Sequence, residues 1–90
     1  MTIKKEDLVF THYIWRDEAG EERQDLSPTR RIFDRENGSH ILWIANWYAT
    51  QYEQFQKNDI SKLETMISDE LPFSKVSEKS VSEWLVNTWR

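Results

Sequence analysis

The two histidines, His12 and His40, are the side chains best suited to proton transfer or metal binding near neutral pH. Neither lies at helix or strand ligand spacing from the other or from a matching carboxylate. The sequence has no cysteine, which excludes thiolate ligands and thiol nucleophiles. Serines between Ser74 and Ser82 lie near the start of a predicted helix, where capping accounts for them, and no base can be matched with any of them. We therefore predict no catalytic residue, no metal site, no cofactor and no enzyme activity.

Aromatic side chains suit binding better than catalysis, and they are concentrated in HILWIANWYATQYEQF, residues 40–55. Trp43 and Trp47 are one helical turn apart and project from the flank of the predicted helix, away from its main apolar stripe. Two interpretations stay open. Either another part of the chain covers the pair, or at least one indole ring is partly exposed and anchors another protein or a second copy of the chain, as a homodimer.

Charged residues around these tryptophans suggest how a partner would be oriented. Glu18, Glu21 and Glu22 belong to an acidic stretch at 17–25. This stretch is either a solvated turn or a negatively charged protruding loop that attracts a basic partner protein. Arg30 and Arg31 are expected to tune the orientation of that partner within a mixed-charge, solvated surface. The formal net charge of -4 disfavours nucleic acid as a ligand, because it sets up repulsion from phosphate groups.

The N-terminal part of the chain is predicted to form a β-hairpin over residues 8–26. LVFTHYIW, residues 8–15, is rich in β-branched and aromatic residues, which favour a strand. Gly20 can close the turn, and the polar stretch EERQDL would return as an edge strand. Residues 27–38 fit either a short helix or a third strand, because Ser27 and Pro28 suit a helix start but the segment contains few large apolar residues.

Three helices are predicted at residues 40–56, 60–71 and 77–89 from apolar periodicity and from their boundary residues. Ser39, Asp59 and Ser77 can cap them, and Pro72 should end the second. The fold class is therefore predicted as α+β, with an N-terminal β-hairpin, or three strands, packed on a C-terminal three-helix unit. Residues 1–90 would form a single domain, because a chain this short cannot stabilise two cores.

The overall composition favours a cytoplasmic binding module over other classes of protein. The longest apolar run, residues 41–45, is far shorter than the roughly 20 residues that cross a bilayer, so no membrane span is expected. The lack of cysteine fits a reducing compartment. We predict a noncatalytic adaptor, inhibitor or accessory regulator that acts through the aromatic surface and the acidic hairpin. Small acidic domains with such roles occur in phages and mobile elements.

A DNA-binding regulator using residues 60–90 is the alternative function. VSEKSVSEWL is similar to the recognition helix of a helix-turn-helix motif, because Val81 and Trp84 are spaced like its inward residues. In that register, however, Leu71 stands where the motif has a small residue, and Pro72 falls inside the preceding helix. The predicted outer face, with Glu78, Lys79, Ser82 and Glu83, also has more anions than cations for phosphate contacts.

Overall fold

The computed structural model describes residues 3–15 and 27–89, and within these ranges its regular structure is almost entirely helical. The main elements are α1 (Gly38–Gln51), α2 (Asp59–Thr65) and α3 (Glu78–Thr88). α2 continues directly into a π-helical turn, Met66–Glu70, and a short 3-10 turn, Lys5–Asp7, lies near the N-terminus. Two extended segments pack against these helices. We call residues 3–15 the arm and residues 27–37 the connector.

The helix α1 starts two residues before its predicted start and ends five residues before its predicted end. It starts early because Asn37 caps it, with Asn37 Oδ1 accepting a hydrogen bond from Ser39 N at 2.9 Å. It ends where Tyr52 takes an extended conformation. The following turn, closed by a hydrogen bond from Phe55 N to Tyr52 O, returns Phe55 to the core, where it is buried.

The apolar face of the second helical segment forms a large part of the core. Its buried residues are Ile60, Leu63, Met66, Ile67 and Leu71. The helical backbone ends at Glu70, two residues before Pro72, in keeping with the backbone restriction that proline imposes.

Ser77 caps α3, and its hydroxyl accepts a hydrogen bond from Ser80 N. Val76, the residue before this cap, is 56% exposed and therefore contributes little to the core.

The predicted N-terminal β-hairpin is wrong. The described residues contain no sheet or hairpin, and the bridges found there are isolated: Ile14 with Asn37, and Ile32 with Ser77. The proposed return strand lies outside the described residues. The arm needs no strand partner for Val9 and Phe10, because their N–H groups donate to the side-chain carboxylate of Glu64 instead.

The connector forms neither the short helix nor the third strand that the sequence left open, apart from its two isolated bridges. Its backbone runs beside the start of α3, where Phe33 N donates to Val76 O and Glu78 N donates to Arg31 O. Phe33 is its large buried side chain and contacts Trp43. One anchored aromatic ring and a few bonds to α3 therefore hold a segment too poor in apolar residues to form a core element.

The two ends of the arm are fixed by different contacts with α1. Near its start, Asn46 pairs with the backbone of Ile3, accepting from Ile3 N at 2.8 Å and donating to Ile3 O at 3.0 Å. At its end, the Trp15 ring lies over Gly38, where an added Cβ would come within 2.3 Å of Trp15 Cε2. Gly38 is thus required by close packing.

No helix within the described ranges is both long and apolar enough to span a membrane.

Candidate functional site

The structure places the two predicted anchor residues in different surroundings. Trp43 is buried, at 8% exposure, between Phe33 and Trp47, with ring centroids 6.2 and 6.5 Å away. Trp47 is only partly buried and stacks on Trp43 with 22° between the ring planes. Trp43 therefore supports the surface from beneath, and Trp47 is the member of the pair that a partner can reach.

Trp47 lines a shallow groove between α1 and α3, which we call the Trp47 groove. Its other lining residues come from α3: Ser82, Glu83, Val86 and Asn87. The volume is about 240 Å³. Val86 is 38% exposed and Glu83 is exposed, so the groove offers a partner apolar side chains, Trp47 and Val86, together with a carboxylate. The spacing of the α3 residues follows from one helical face.

Of the charged residues predicted to orient a partner, the two that the structure describes, Arg30 and Arg31, do not line this groove. Arg30 and Arg31 are exposed on the connector, and Arg31 lines a separate cavity of about 430 Å³ together with Ile32, Asp34 and His40. Glu18, Glu21 and Glu22 lie outside the described residues. The structure thus joins Trp47 to Glu83, a carboxylate that the sequence analysis did not connect with it.

The histidines take part in local contacts. His40 Nδ1 accepts a hydrogen bond from Asp34 N at 2.8 Å, which ties the connector to the first turn of α1. His12 Nε2 lies 3.6 Å from Glu36 Oε2, and both side chains are largely exposed. Among the described residues, no three histidine, cysteine, aspartate or glutamate side chains are grouped closely enough to hold a metal ion.

A second aromatic cavity lies at the other end of α1, and we call it the aromatic cage. It has a volume of about 250 Å³. Its lining residues are Tyr48, Tyr52, Gln54, Phe55, Asp59 and Trp89. The spacing of Tyr48, Tyr52 and Phe55 was visible in the sequence, but the approach of Trp89 from α3 depends on the tertiary structure.

Among the described residues, two glutamates are buried, although the sequence pattern gives no sign of it. Glu64 is 1% exposed and accepts from Tyr13 Oη at 2.8 Å, as well as from the two backbone N–H groups of the arm. Glu78 is 4% exposed and accepts from Thr29 N and Thr29 Oγ1. Glu78 and Ser82 were predicted on the outer face of α3, and their burial corrects that assignment.

Comparison of the chain with protein-family models, curated proteins and solved structures gives no match. A function must therefore be argued from the chemistry and geometry of the site.

Proposed function

We propose that this chain is a noncatalytic protein-binding module whose contact surface is the Trp47 groove. The observation that supports this function is a partly exposed indole in a concave surface, backed by the buried Trp43 ring. Binding energy at protein interfaces is concentrated in large aromatic side chains held in well-packed surroundings. Because Trp43 already fixes one face of Trp47, little side-chain entropy remains to be lost on binding.

The partner that fits is a protein segment that inserts one apolar side chain and carries a lysine or arginine beside it. The groove, at about 240 Å³, is smaller than the roughly 300–1,000 Å³ of typical small-molecule sites, and suits a single side chain. Glu83 at its edge favours a cation there. The net charge of -4 and the acidic stretch at 17–25 would attract a basic partner over a longer range.

The DNA-binding alternative gains no comparable support. Residues 71–77 separate the π-helical turn from α3, whereas a helix-turn-helix has a turn of about three to four residues. The exposed Glu83 on α3 would also repel phosphate. We accordingly propose protein binding. We also propose that it takes place in the cytoplasm, because a chain without cysteine forms no disulfide and so does not depend on an oxidising compartment.

Selection of displayed random peptides against the wild-type chain, followed by affinity measurement with fluorescence anisotropy, tests this function. We expect selected peptides to combine an apolar residue with lysine or arginine. Trp47→Ala should weaken their binding about tenfold or more, as expected for a hot-spot residue. Phe73→Ala is the matched control, because Phe73 is 87% exposed but does not line the groove, and it should leave affinity unchanged.

Circular dichroism must show that both variants remain folded. Equal affinity of the peptides for wild type and Trp47→Ala would contradict the proposal, as would selection of acidic peptides. Sedimentation adds an independent check. A wild-type dimer that Trp47→Ala converts to a monomer would assign the groove to self-association and would exclude the basic partner proposed above.

A further inference from the structure

The aromatic cage combines two features that a cation requires, π-electron faces and a carboxylate. Four of its lining residues are aromatic, and Asp59 is the charged residue among them. The cage forms where the end of α1, the turn after it, the start of α2 and the residue after α3 meet. It shares no lining residue with the Trp47 groove.

Tyr48 is the central ring of the cage. Its ring centroid lies 4.6 Å from that of Tyr52, 5.5 Å from that of Phe55 and 4.9 Å from that of Trp89. The planes of these pairs are tilted by 32° to 59°, so the rings are not parallel, and all four line the cavity. Tyr48 and Phe55 are buried, which makes them a rigid base, while Tyr52 and Trp89 are partly exposed at the walls.

A cation already lies against one wall of the cage, and the carboxylate of Asp59 is held at the cavity. Lys62 Nζ lies 4.4 Å from the centroid of the Trp89 ring, within the roughly 6 Å over which a ring attracts a cation. Asp59 Oδ2 accepts a hydrogen bond from Gln56 N at 3.0 Å, which fixes the carboxylate at the cavity. Burial raises the pKa of Tyr48 to about 12, with Tyr52 and Asp59 adding to the shift, so Tyr48 is neutral near pH 7.

We propose that the aromatic cage binds a methylated ammonium group, with Tyr48, Tyr52, Phe55 and Trp89 contacting its methyl groups and Asp59 balancing its charge. A primary ammonium has three N–H donors and is strongly hydrated, so entering a mostly aromatic cavity would leave donors unsatisfied. A trimethylammonium group has no donor to satisfy, and its methyl groups match the ring faces. The same group occurs in trimethylated lysine of a protein and in small molecules such as choline.

Nuclear magnetic resonance titration of the full chain, following the indole N–H signal of Trp89, tests the proposal with four probes. Choline and a peptide containing trimethyllysine should both bind saturably. The same peptide with unmodified lysine, and 3,3-dimethylbutanol, the uncharged isostere of choline, should each bind about tenfold more weakly or not at all. Tighter binding of the peptide would assign the ligand to a protein, and tighter binding of choline would assign it to a small molecule.

Variants of partly exposed residues test the roles of charge and ring without disturbing the base of the cage. Asp59→Asn keeps an oxygen that can accept from Gln56 N, yet it should weaken choline binding about fivefold, as expected for loss of one nearby opposite charge. Tyr52→Ala should weaken binding, and Tyr52→Phe, which keeps the ring, should not. Lys62→Gln should strengthen binding about twofold or more, because it removes a like charge beside Trp89.

Trp47→Ala is the control for the other site and should leave choline binding unchanged, so that failure of this proposal and failure of the groove proposal are distinguishable. Equal affinity for choline and its uncharged isostere would reduce the cage to an unspecific apolar cavity and overturn the proposal. Absence of saturable shifts with both methylated probes would overturn it as well. So would unchanged choline affinity in both single variants, Asp59→Asn and Tyr52→Ala.

Discussion

Two buried carboxylates, Glu64 in α2 and Glu78 in α3, hold the two extended segments on the helices, but in different surroundings. Glu64 accepts from the arm through Val9 N at 2.9 Å, Phe10 N at 3.2 Å and Tyr13 Oη at 2.8 Å. Glu78 accepts from the connector, through Thr29 N at 3.1 Å and Thr29 Oγ1 at 3.0 Å. Each carboxylate supplies acceptors that a neighbouring strand would supply in a sheet.

The two sites differ in how many other contacts share their task. Glu78 is the first residue of α3, where the helix dipole favours a negative charge, and the connector is also tied there by hydrogen bonds from Glu78 N to Arg31 O and from Lys79 N to Thr29 O. Glu64 lies inside α2, without a helix terminus to stabilise it, and its carboxylate accepts from three donors in the middle of the arm. The arm should therefore be the more sensitive of the two segments.

Replacement of Glu64 should have the largest effect on stability. Glu64→Leu removes the acceptor of three donors, of which the Tyr13 hydroxyl is buried and the two backbone N–H groups are part-buried, and a buried donor left unpaired costs about 1–3 kcal/mol. Relief of carboxylate desolvation offsets part of this loss, but the Tyr13 hydroxyl stays buried and polar. We expect the free energy of unfolding, measured by urea titration, to fall by about 3 kcal/mol or more, which is a large share of the roughly 5–15 kcal/mol of a typical domain.

Glu64→Gln is the matched control for this prediction. It keeps the side-chain length and one acceptor oxygen, so it should lose less stability than Glu64→Leu. Tyr13→Phe should lose less again, because it removes one donor and leaves two bonds to the carboxylate intact. Unchanged stability of Glu64→Leu would show that the arm is held by apolar packing, and the contrast with Glu78 would then disappear.

The arm also shows why part of the fold could not be read from the sequence. Residues 8–15 have the composition of a strand because they are extended and half-covered, but composition does not name the group that pairs with their N–H donors. That group is Glu64, and a glutamate is rarely buried unless paired, so sequence patterns place it outside the core. Helix positions came closer, because apolar periodicity and end residues such as Pro72 and Ser77 act locally.

The candidate sites likewise combine local features that the sequence shows with tertiary contacts that it does not show. The spacing of Trp43 and Trp47 indicated that both rings leave the main stripe of α1, but spacing alone could not decide which of them Phe33 would cover. The aromatic cage depends on contact between Trp89 and Tyr48, which are far apart in the sequence. Local patterns can show which side chains project together, whereas their exposure is settled by segments that arrive from elsewhere in the chain.

Replacement of Glu78 should have a smaller effect than replacement of Glu64. Glu78→Leu leaves Thr29 N and Thr29 Oγ1 without this acceptor, but Thr29 is exposed and water can replace part of what is lost. The backbone bonds between the connector and α3 remain. We expect a loss of about 1–2 kcal/mol in the same urea titration. A loss equal to that of Glu64→Leu would contradict the view that the connector has several independent attachments.

Alkaline pH tests the difference between the two sites without substitution of either glutamate. Of the two hydroxyl groups that donate to these carboxylates, the Tyr13 phenol can ionise and the Thr29 hydroxyl does not. Burial raises the pKa of Tyr13 well above its ordinary value near 10, and the hydrogen bond to Glu64 and the charges of Glu64 and Glu36 raise it further. The unfolded chain therefore releases this proton at a lower pH than the folded chain. The resulting stabilisation is complete below about pH 10 and is lost progressively as the pH rises above that value.

Urea titrations at about pH 8 and about pH 10.5 should measure this smallest effect. Between these values Tyr13→Phe should lose less stability than the wild type, because it has no phenolic proton to release at residue 13. Tyr48→Phe should also lose less, over a window that begins near pH 10 and ends near the Tyr48 pKa of about 12. Glu78→Leu should fall in parallel with the wild type, since its partner Thr29 does not ionise. If Tyr13→Phe and the wild type lose the same stability, the pKa of Tyr13 is the same in the folded and the unfolded chain. The proposed contrast between the Glu64 and Glu78 sites would then lose this support.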